Sequence, residues 1–186
     1  MKRLIDIIGS LVGIVVLSPV MVVIAIVVKA NSPGPAWHVS DRMGRNGKLF
    51  RMAKFRSMYV GTPDVASDKL ENAQSQITKV GAFLRKTSLD ELPQLFNVLR
   101  GDMSLVGPRP ALYNQYDLIA MREEAGVDRL RPGVTGWAQV NGRDEIPLER
   151  KVALDREYLQ KQSFWLDIRI IIATLVKAVR SDGITH

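Results

Sequence analysis

The sequence predicts an α+β fold, mainly helical: an N-terminal membrane helix, a small β-hairpin and amphipathic interfacial helices packed on one compact domain. Three observations predict it. Residues 4–28 are almost wholly apolar, an Asn46-Gly47 pair separates two strand-like segments, and residues 111–125, 148–162 and 164–181 have helical composition.

The apolar run comes first. Asp6 is its only charge, and about 25 such residues suffice to span a bilayer. A cleaved signal peptide fits poorly, because the run exceeds the usual h-region and lacks a convincing small-x-small cleavage site. Ser18-Pro19 interrupts it midway. Pro19 has no N–H for the Val15 carbonyl and crowds it, while the Ser18 hydroxyl can bond back to the Ile14 carbonyl, so a sharp kink is expected. Two halves of about 10 to 15 residues reach only ~15 to 22 Å each, short of a core of ~30 Å; such a hairpin enters one leaflet and returns. Lys2 and Arg3 before the run, and Lys29, Arg42, Arg45 and Lys48 after it, draw both ends to the cytoplasmic side. A straight, proline-kinked span satisfies the hydropathy equally well, so these features alone leave span and re-entry open.

Asn31-Ser-Pro-Gly-Pro35 is a turn-rich junction, which divides the chain into a membrane piece, 1–30, and a domain, 31–186. Residues 37–39 and 49–55 then flank Gly44-Arg-Asn46-Gly47, a tight-turn signal for a hairpin. The second strand leads into Lys54-Phe55-Arg56-Ser57-Met58, where alternation places both cations on one strand face. Locally, a charge-protected edge strand explains that pattern better than phosphate binding does. Residues 61–76 are polar, contain Pro63 and show little periodicity, as in a surface loop or frayed helix.

The central segment, residues 86–110, reads KTSLDELPQLFNVLRGDMSLVGPRP. It sets Asp90 and Glu91 side by side at a helix mouth and follows them with a Gly107-Pro108-Arg109-Pro110 turn. Paired acids can serve as nucleophile and metal ligand, and a proline-bracketed arginine can hold a phosphoryl oxygen. Ser88 to Glu91 also fits a capping box. Pro93 weakens that reading, because with Ser88 as cap it falls where a backbone N–H should already be bonded.

Helical composition returns over residues 111–125 and over 148–162, the latter with Pro147 at its start and Leu148, Val152 and Leu159 aligned. Between them RPGVTGWAQVNGR, residues 131–143, is a glycine-rich loop containing Trp137, Gln139 and Arg143; alone it reads as an irregular connection anchored by tryptophan. The last helix carries Arg169, Lys177 and Arg180 in one sector and Trp165 at one end. It suits either a membrane interface or a core helix with a basic solvent edge.

Composition limits the chemistry. There is no cysteine, and His38 and His186 are the only histidines, which excludes thiol nucleophiles and disulfides and nearly excludes histidine triads. An enzyme of this composition must rest on carboxylates, Lys/Arg and hydroxyls, with an oxygen-bound cation such as Mg²⁺ open to it as well. The net charge of +7 points to an anionic partner: nucleic acid, anionic lipid or a phosphorylated substrate.

Taken together, the broken apolar segment, KFRSM, the 86–110 segment and RPGVTGWAQVNGR closely resemble the bacterial sugar transferase family, the monotopic phosphoglycosyl transferases, in its small form and over nearly the whole chain. The resemblance implies a re-entrant helix broken at Ser18-Pro19, with a catalytic domain on the cytoplasmic face of the bacterial inner membrane. By motif match, Asp90 corresponds to the nucleophile and Glu91 to its partner carboxylate, a ligand of Mg²⁺. Lys54, Arg85 and Arg109 match positions associated with substrate phosphates or with the integrity of the site, with Arg56 as a companion. Trp137, Gln139 and Arg143 are candidate nucleotide or sugar contacts.

The implied reaction moves a phospho-sugar from a UDP-sugar to undecaprenyl phosphate through an aspartyl-phosphosugar intermediate, releasing UMP. It is a first membrane step of O-antigen, capsule, exopolysaccharide or glycoprotein glycan assembly. Membrane phospholipid is the implied surroundings, nucleic acid is no partner, and a homo-oligomer or later glycosyltransferases of the pathway are further candidate partners. The competing function is a non-catalytic, membrane-tethered basic module for anionic lipid or nucleic acid; within enzymes, it is hydrolysis of a nucleotide sugar by water.

Overall fold

The structure, a computed structural model, describes residues 1–65, 73–142 and 146–180, apart from the side chains of 178–180. In chain order its elements are helix α1 (Lys2–Asn31), strands β1 (Trp37–Met43) and β2 (Leu49–Phe55), helices α2 (Ala73–Gln76), α3 (Lys79–Thr87) and α4 (Gln94–Arg100), strand β3 (Ser104–Val106), helix α5 (Tyr116–Glu124), strand β4 (Gly133–Thr135) and helices α6 (Trp137–Val140), α7 (Leu148–Lys161) and α8 (Phe164–Arg180). The mainly helical α+β expectation holds.

Helix α1 runs without interruption through Pro19, where the sequence suggested a break. The reason is local. Pro19 cannot donate to the Val15 carbonyl, but the Ser18 hydroxyl donates to that same carbonyl at 2.9 Å, rather than to Ile14. The acceptor that proline strands is thereby satisfied.

The buried residues of α1, Asp6, Ser10, Met21, Ile24 and Val28, fall on one stripe at helical spacing. Its two ends are tied to the same body. At the start, Lys2 pairs with Asp167 of α8 at 2.7 Å, and Arg3 donates to the Val98 and Leu99 carbonyls at the end of α4. The buried Asp6 carboxylate accepts from Ser104 Oγ at 2.9 Å and the Leu105 N–H at 3.0 Å. Toward the other end, Met21, Ile24 and Val28 join Phe55 and Leu84 in one core cluster. The outward side is also apolar: Leu4, Ile8, Leu11, Val15, Val16, Val22, Val23 and Ile26 are all exposed. A helix that is apolar all round belongs in a core or in lipid, and only one stripe of α1 faces protein.

The hairpin pairs Trp37 with Phe55 through Met43 with Leu49. It is longer than the sequence suggested, and its five-residue loop turns through Asn46 and Gly47, both at positive φ, which Asn and Gly tolerate best. A second, parallel ladder joins β3 to β4. The stretch from 111 does not begin a helix: Met43 N–H donates to the Ala111 carbonyl and Arg42 bridges Leu112, so helix α5 starts only at Tyr116. Helix α8 buries Ile170 but leaves Phe164, Ile172, Leu175, Val176 and Trp165, the last 77% accessible, on its outer side. A core helix with a merely basic edge would hide those residues.

Candidate active site

Helix α3 ends because Ser88 adopts a left-handed conformation, φ 57°. The chain then makes a 3-10 turn, Leu89–Glu91, and Pro93 stands at the N-cap of α4. This corrects the capping-box reading: the Ser88 side chain caps nothing, and the Glu91 N–H donates to the Ser88 carbonyl. Both carboxylates are therefore released from capping duty.

Glu91 turns toward the hairpin and the Gly107–Pro110 turn. Its Oε1 accepts from Lys54 Nζ at 2.9 Å and from Arg109 Nη1 at 3.0 Å. Burial opposes its ionisation, but Lys54 and Arg109 together outweigh it and hold the carboxyl down at about 2. Asp90, 7% accessible, goes the other way. Burial, with the Glu91 charge beside it, pushes it up to about 6, against the pull of Lys54, Arg109 and Arg85. Asp90 has no hydrogen bond to any of the described residues.

The turn that carries Arg109 is held by the glycine-rich segment. Gly107 N–H donates to the Thr135 carbonyl and Gly133 N–H to the Pro108 carbonyl, both at 2.8 Å. A Cβ on Gly133 would collide with the Gly107 backbone, as would one on Gly136. RPGVTG is thus a backbone clamp for GPRP, which its reading as an irregular connection did not reveal.

The structure brings Asp90, Glu91, Lys54, Arg85 and Arg109 near one another. Arg56 does not join them. It lies one residue beyond β2, 5% accessible, and donates to the Pro33 and Ser32 carbonyls and to Ser32 Oγ. It closes the junction at the end of α1, so the shared strand face proposed for Lys54 and Arg56 is corrected. Trp137 donates to Glu157 on α7 at 3.1 Å and Gln139 to the Val134 carbonyl at 3.2 Å; neither has a hydrogen bond to the carboxylate pair. Arg143 lies outside the described residues.

One cation was missed. Arg42 is lowered to about 10 by burial and then by the nearby Arg109 guanidinium, with Asp64 and Glu91 opposing. It shares a face of β1 with Ser40, whose Oγ accepts from its Nε at 3.0 Å, and with His38, which pairs with Lys54 across the hairpin. Asp41 is a poor strand former, so strand-like composition fades after Val39 although the strand continues to Met43.

Two adjacent carboxylates thus lie among Lys54, Arg85, Arg109 and Arg42, on a body carrying a long apolar helix, and cations so placed have the chemistry to hold phosphate oxygens. The sequence profile of the bacterial sugar transferases matches residues 1–181, and the chain belongs to that family. It is 43% identical over 189 residues to the UDP-glucose:undecaprenyl-phosphate glucose-1-phosphate transferase of Xanthomonas campestris pv. campestris, covering 96% of this chain and 38% of that protein. The protein of the same name from Escherichia coli strain K12 is 42% identical over 95% of this chain and 40% of its own length. An uncharacterized sugar transferase, EpsL, of Bacillus subtilis strain 168 is 39% identical over 99% of this chain and 90% of its own. The chain thus spans about two fifths of the first two relatives and nearly all of the third.

Proposed function

We propose that this chain transfers a phospho-sugar from a UDP-sugar to undecaprenyl phosphate, with Asp90 as nucleophile. A carboxylate oxygen of Asp90 bonds to the sugar-linked phosphorus while the bond from that phosphorus to the bridging oxygen breaks, and UMP leaves. A phosphate oxygen of the lipid then bonds to the same phosphorus and frees the Asp90 carboxylate, giving a polyprenyl-diphosphate sugar. The observation that carries this reading is the division within the acidic pair. Glu91 is fixed and ionised by two cations, and Asp90 sits buried beside it, uncommitted and titrating close enough to neutrality to be ionised at pH 7 without a base.

Both reactants are anions, so charge must be neutralised as it shifts in the transition state. Lys54 and Arg109 supply fixed cations for this, with Arg85 and Arg42 nearby. The donor set also fits Mg²⁺: among the described residues no three metal-ligating side chains converge, but Mg²⁺ typically uses one or two carboxylates, with waters and substrate phosphates completing its shell. Glu91 would be the residue that holds it. When bound, the ion spreads the charge of the diphosphate.

For the membrane we infer re-entry by bending of the continuous α1 at Pro19, at the inner membrane with the domain on the cytoplasmic side. Thirty residues of helix measure about 45 Å, yet α1 contacts one body from Lys2 to Val28. A span would carry one end, and the charged body tied to it, through the lipid core. The outward residues of α1 and α8 then face acyl chains, and the exposed Lys29 faces headgroups.

The test is UMP release in detergent from UDP-glucose and UDP-galactose, with and without undecaprenyl phosphate, together with mass spectrometry of the protein after a single turnover. A phosphosugar adduct in the wild type and none in Asp90→Asn is expected. Turnover or an adduct in Asp90→Asn refutes the nucleophile. Product formation independent of the lipid phosphate indicates hydrolysis, and salt-sensitive RNA binding with no UMP release indicates the basic module.

A further inference from the structure

We propose that Arg122 is a positioning residue that sets Arg109 against Glu91 by holding the Arg109 backbone carbonyl. The proposal rests on the reading of Arg109 as a phosphate-holding group. Arg122 projects from α5 and is 8% accessible. One edge of its guanidinium, Nε and Nη2, donates to Asp155 Oδ2 at 3.0 and 2.6 Å. Its other arm, Nη1, donates to the Arg109 carbonyl at 2.8 Å. Asp155 on α7 is 1% accessible.

Three carbonyls of the segment from Pro108 to Ala111 are held from different sides. Gly133 N–H takes Pro108 and Met43 N–H takes Ala111, both through backbone. Arg122 takes Arg109, and is the side-chain member of the set. Pro108 and Pro110 have no N–H of their own, so the turn depends on donors from outside to fix it. The Arg109 side chain meets Glu91 at 3.0 Å, and displacement of a catalytic group by about 1 Å can cost on the order of a hundredfold in rate.

The pair is a poor device for stability alone. Burial pushes the Asp155 carboxyl up even with the guanidinium against it, and apolar residues of equal volume often replace a buried ion pair without loss. What they cannot replace is a fork that binds a carboxylate on one edge and a carbonyl on another. Lysine, a point charge, keeps a partner for Asp155 and loses the carbonyl.

The experiment is a double-mutant cycle of Arg122→Lys with Arg109→Ala, reading kcat and KM for the UDP-sugar by UMP release, with thermal stability in parallel. Arg122→Lys should lower kcat/KM about tenfold, and in the Arg109→Ala background it should cost less than twofold further. If Arg122→Lys does not fold, Arg122→Met with Asp155→Leu removes the pair while filling the core, and the same outcomes apply. Wild-type kinetics, or losses that multiply in the combined variant, overturn the proposal. So does a lowered melting temperature with KM unchanged and kcat reduced only in proportion to the folded fraction. If Arg109→Ala itself retains full activity, the phosphate-holding reading fails first, separately from any result at Arg122.

Discussion

Asp90→Asn should make the protein more stable while abolishing its activity. The carboxyl is raised from 3.8 to about 6 by burial and by the neighbouring Glu91 charge. That rise of roughly two pKa units corresponds to ~3 kcal/mol at ~1.4 kcal/mol each. The folded state holds this proton more tightly than the unfolded chain does. The contribution to stability is therefore fully present below the unfolded value near 3.8 and is lost as pH rises through about 6. At pH 7.5 the native protein carries an ionised Asp90 at a cost of ~3 kcal/mol, which the neutral asparagine, nearly the same shape, does not bear. Denaturation in detergent, without divalent cation, should place the variant ~3 kcal/mol above wild type at pH 7.5. The gap should narrow to ~1 kcal/mol at pH 4.5, where native Asp90 is protonated. A variant no more stable than wild type at pH 7.5, or a gap undiminished at pH 4.5, refutes the reasoning.

The same titration predicts that UMP release rises with pH through about 6 and then levels, with the pH 5 rate about a tenth of the plateau; a flat profile from pH 5 to 7 would remove Asp90 from the rate. Glu91, held at about 2, stays ionised across that range. Excess chelator should stop UMP release, and an unchanged rate would rule out the Mg²⁺ role given to Glu91. The chain has no cysteine, so single labels beside Met1 and at Lys48→Cys can report sidedness in intact membranes; both should react from the same side, and opposite sides would reject re-entry.

The parts legible in the sequence are those specified locally. Asn46-Gly47 announces its hairpin through backbone preference, and the apolar run of α1 is unmistakable in hydropathy. The acidic pair and GPRP were recognisable as a set through the family resemblance, since Ser88 to Glu91 alone also fits a capping box. The parts that were not legible depend on distant partners. Arg56 looks like a companion of Lys54 until the end of α1 arrives with open carbonyls to be closed. RPGVTG looks like a loose connection until GPRP lies against it, too close for any side chain at Gly133 or Gly136. Arg42 reads as a flanking charge until β1 extends past Val39 and brings it toward Arg109.

The position of Asp6 joins the apolar helix α1 to the candidate site. A carboxylate within an apolar run costs several kcal/mol if it faces lipid, yet here it accepts from Ser104 and Leu105 on β3. Strand β3 leads directly into the turn that carries Arg109, and Arg3 closes the carbonyl end of α4, the helix that follows the acidic pair. Both contacts require the start of α1 to lie against the body. The helix proposed to lie in lipid is therefore also part of the scaffold behind Glu91 and Arg109, so a change that lifts its N-terminal end from β3 should disturb the site even where membrane binding is retained.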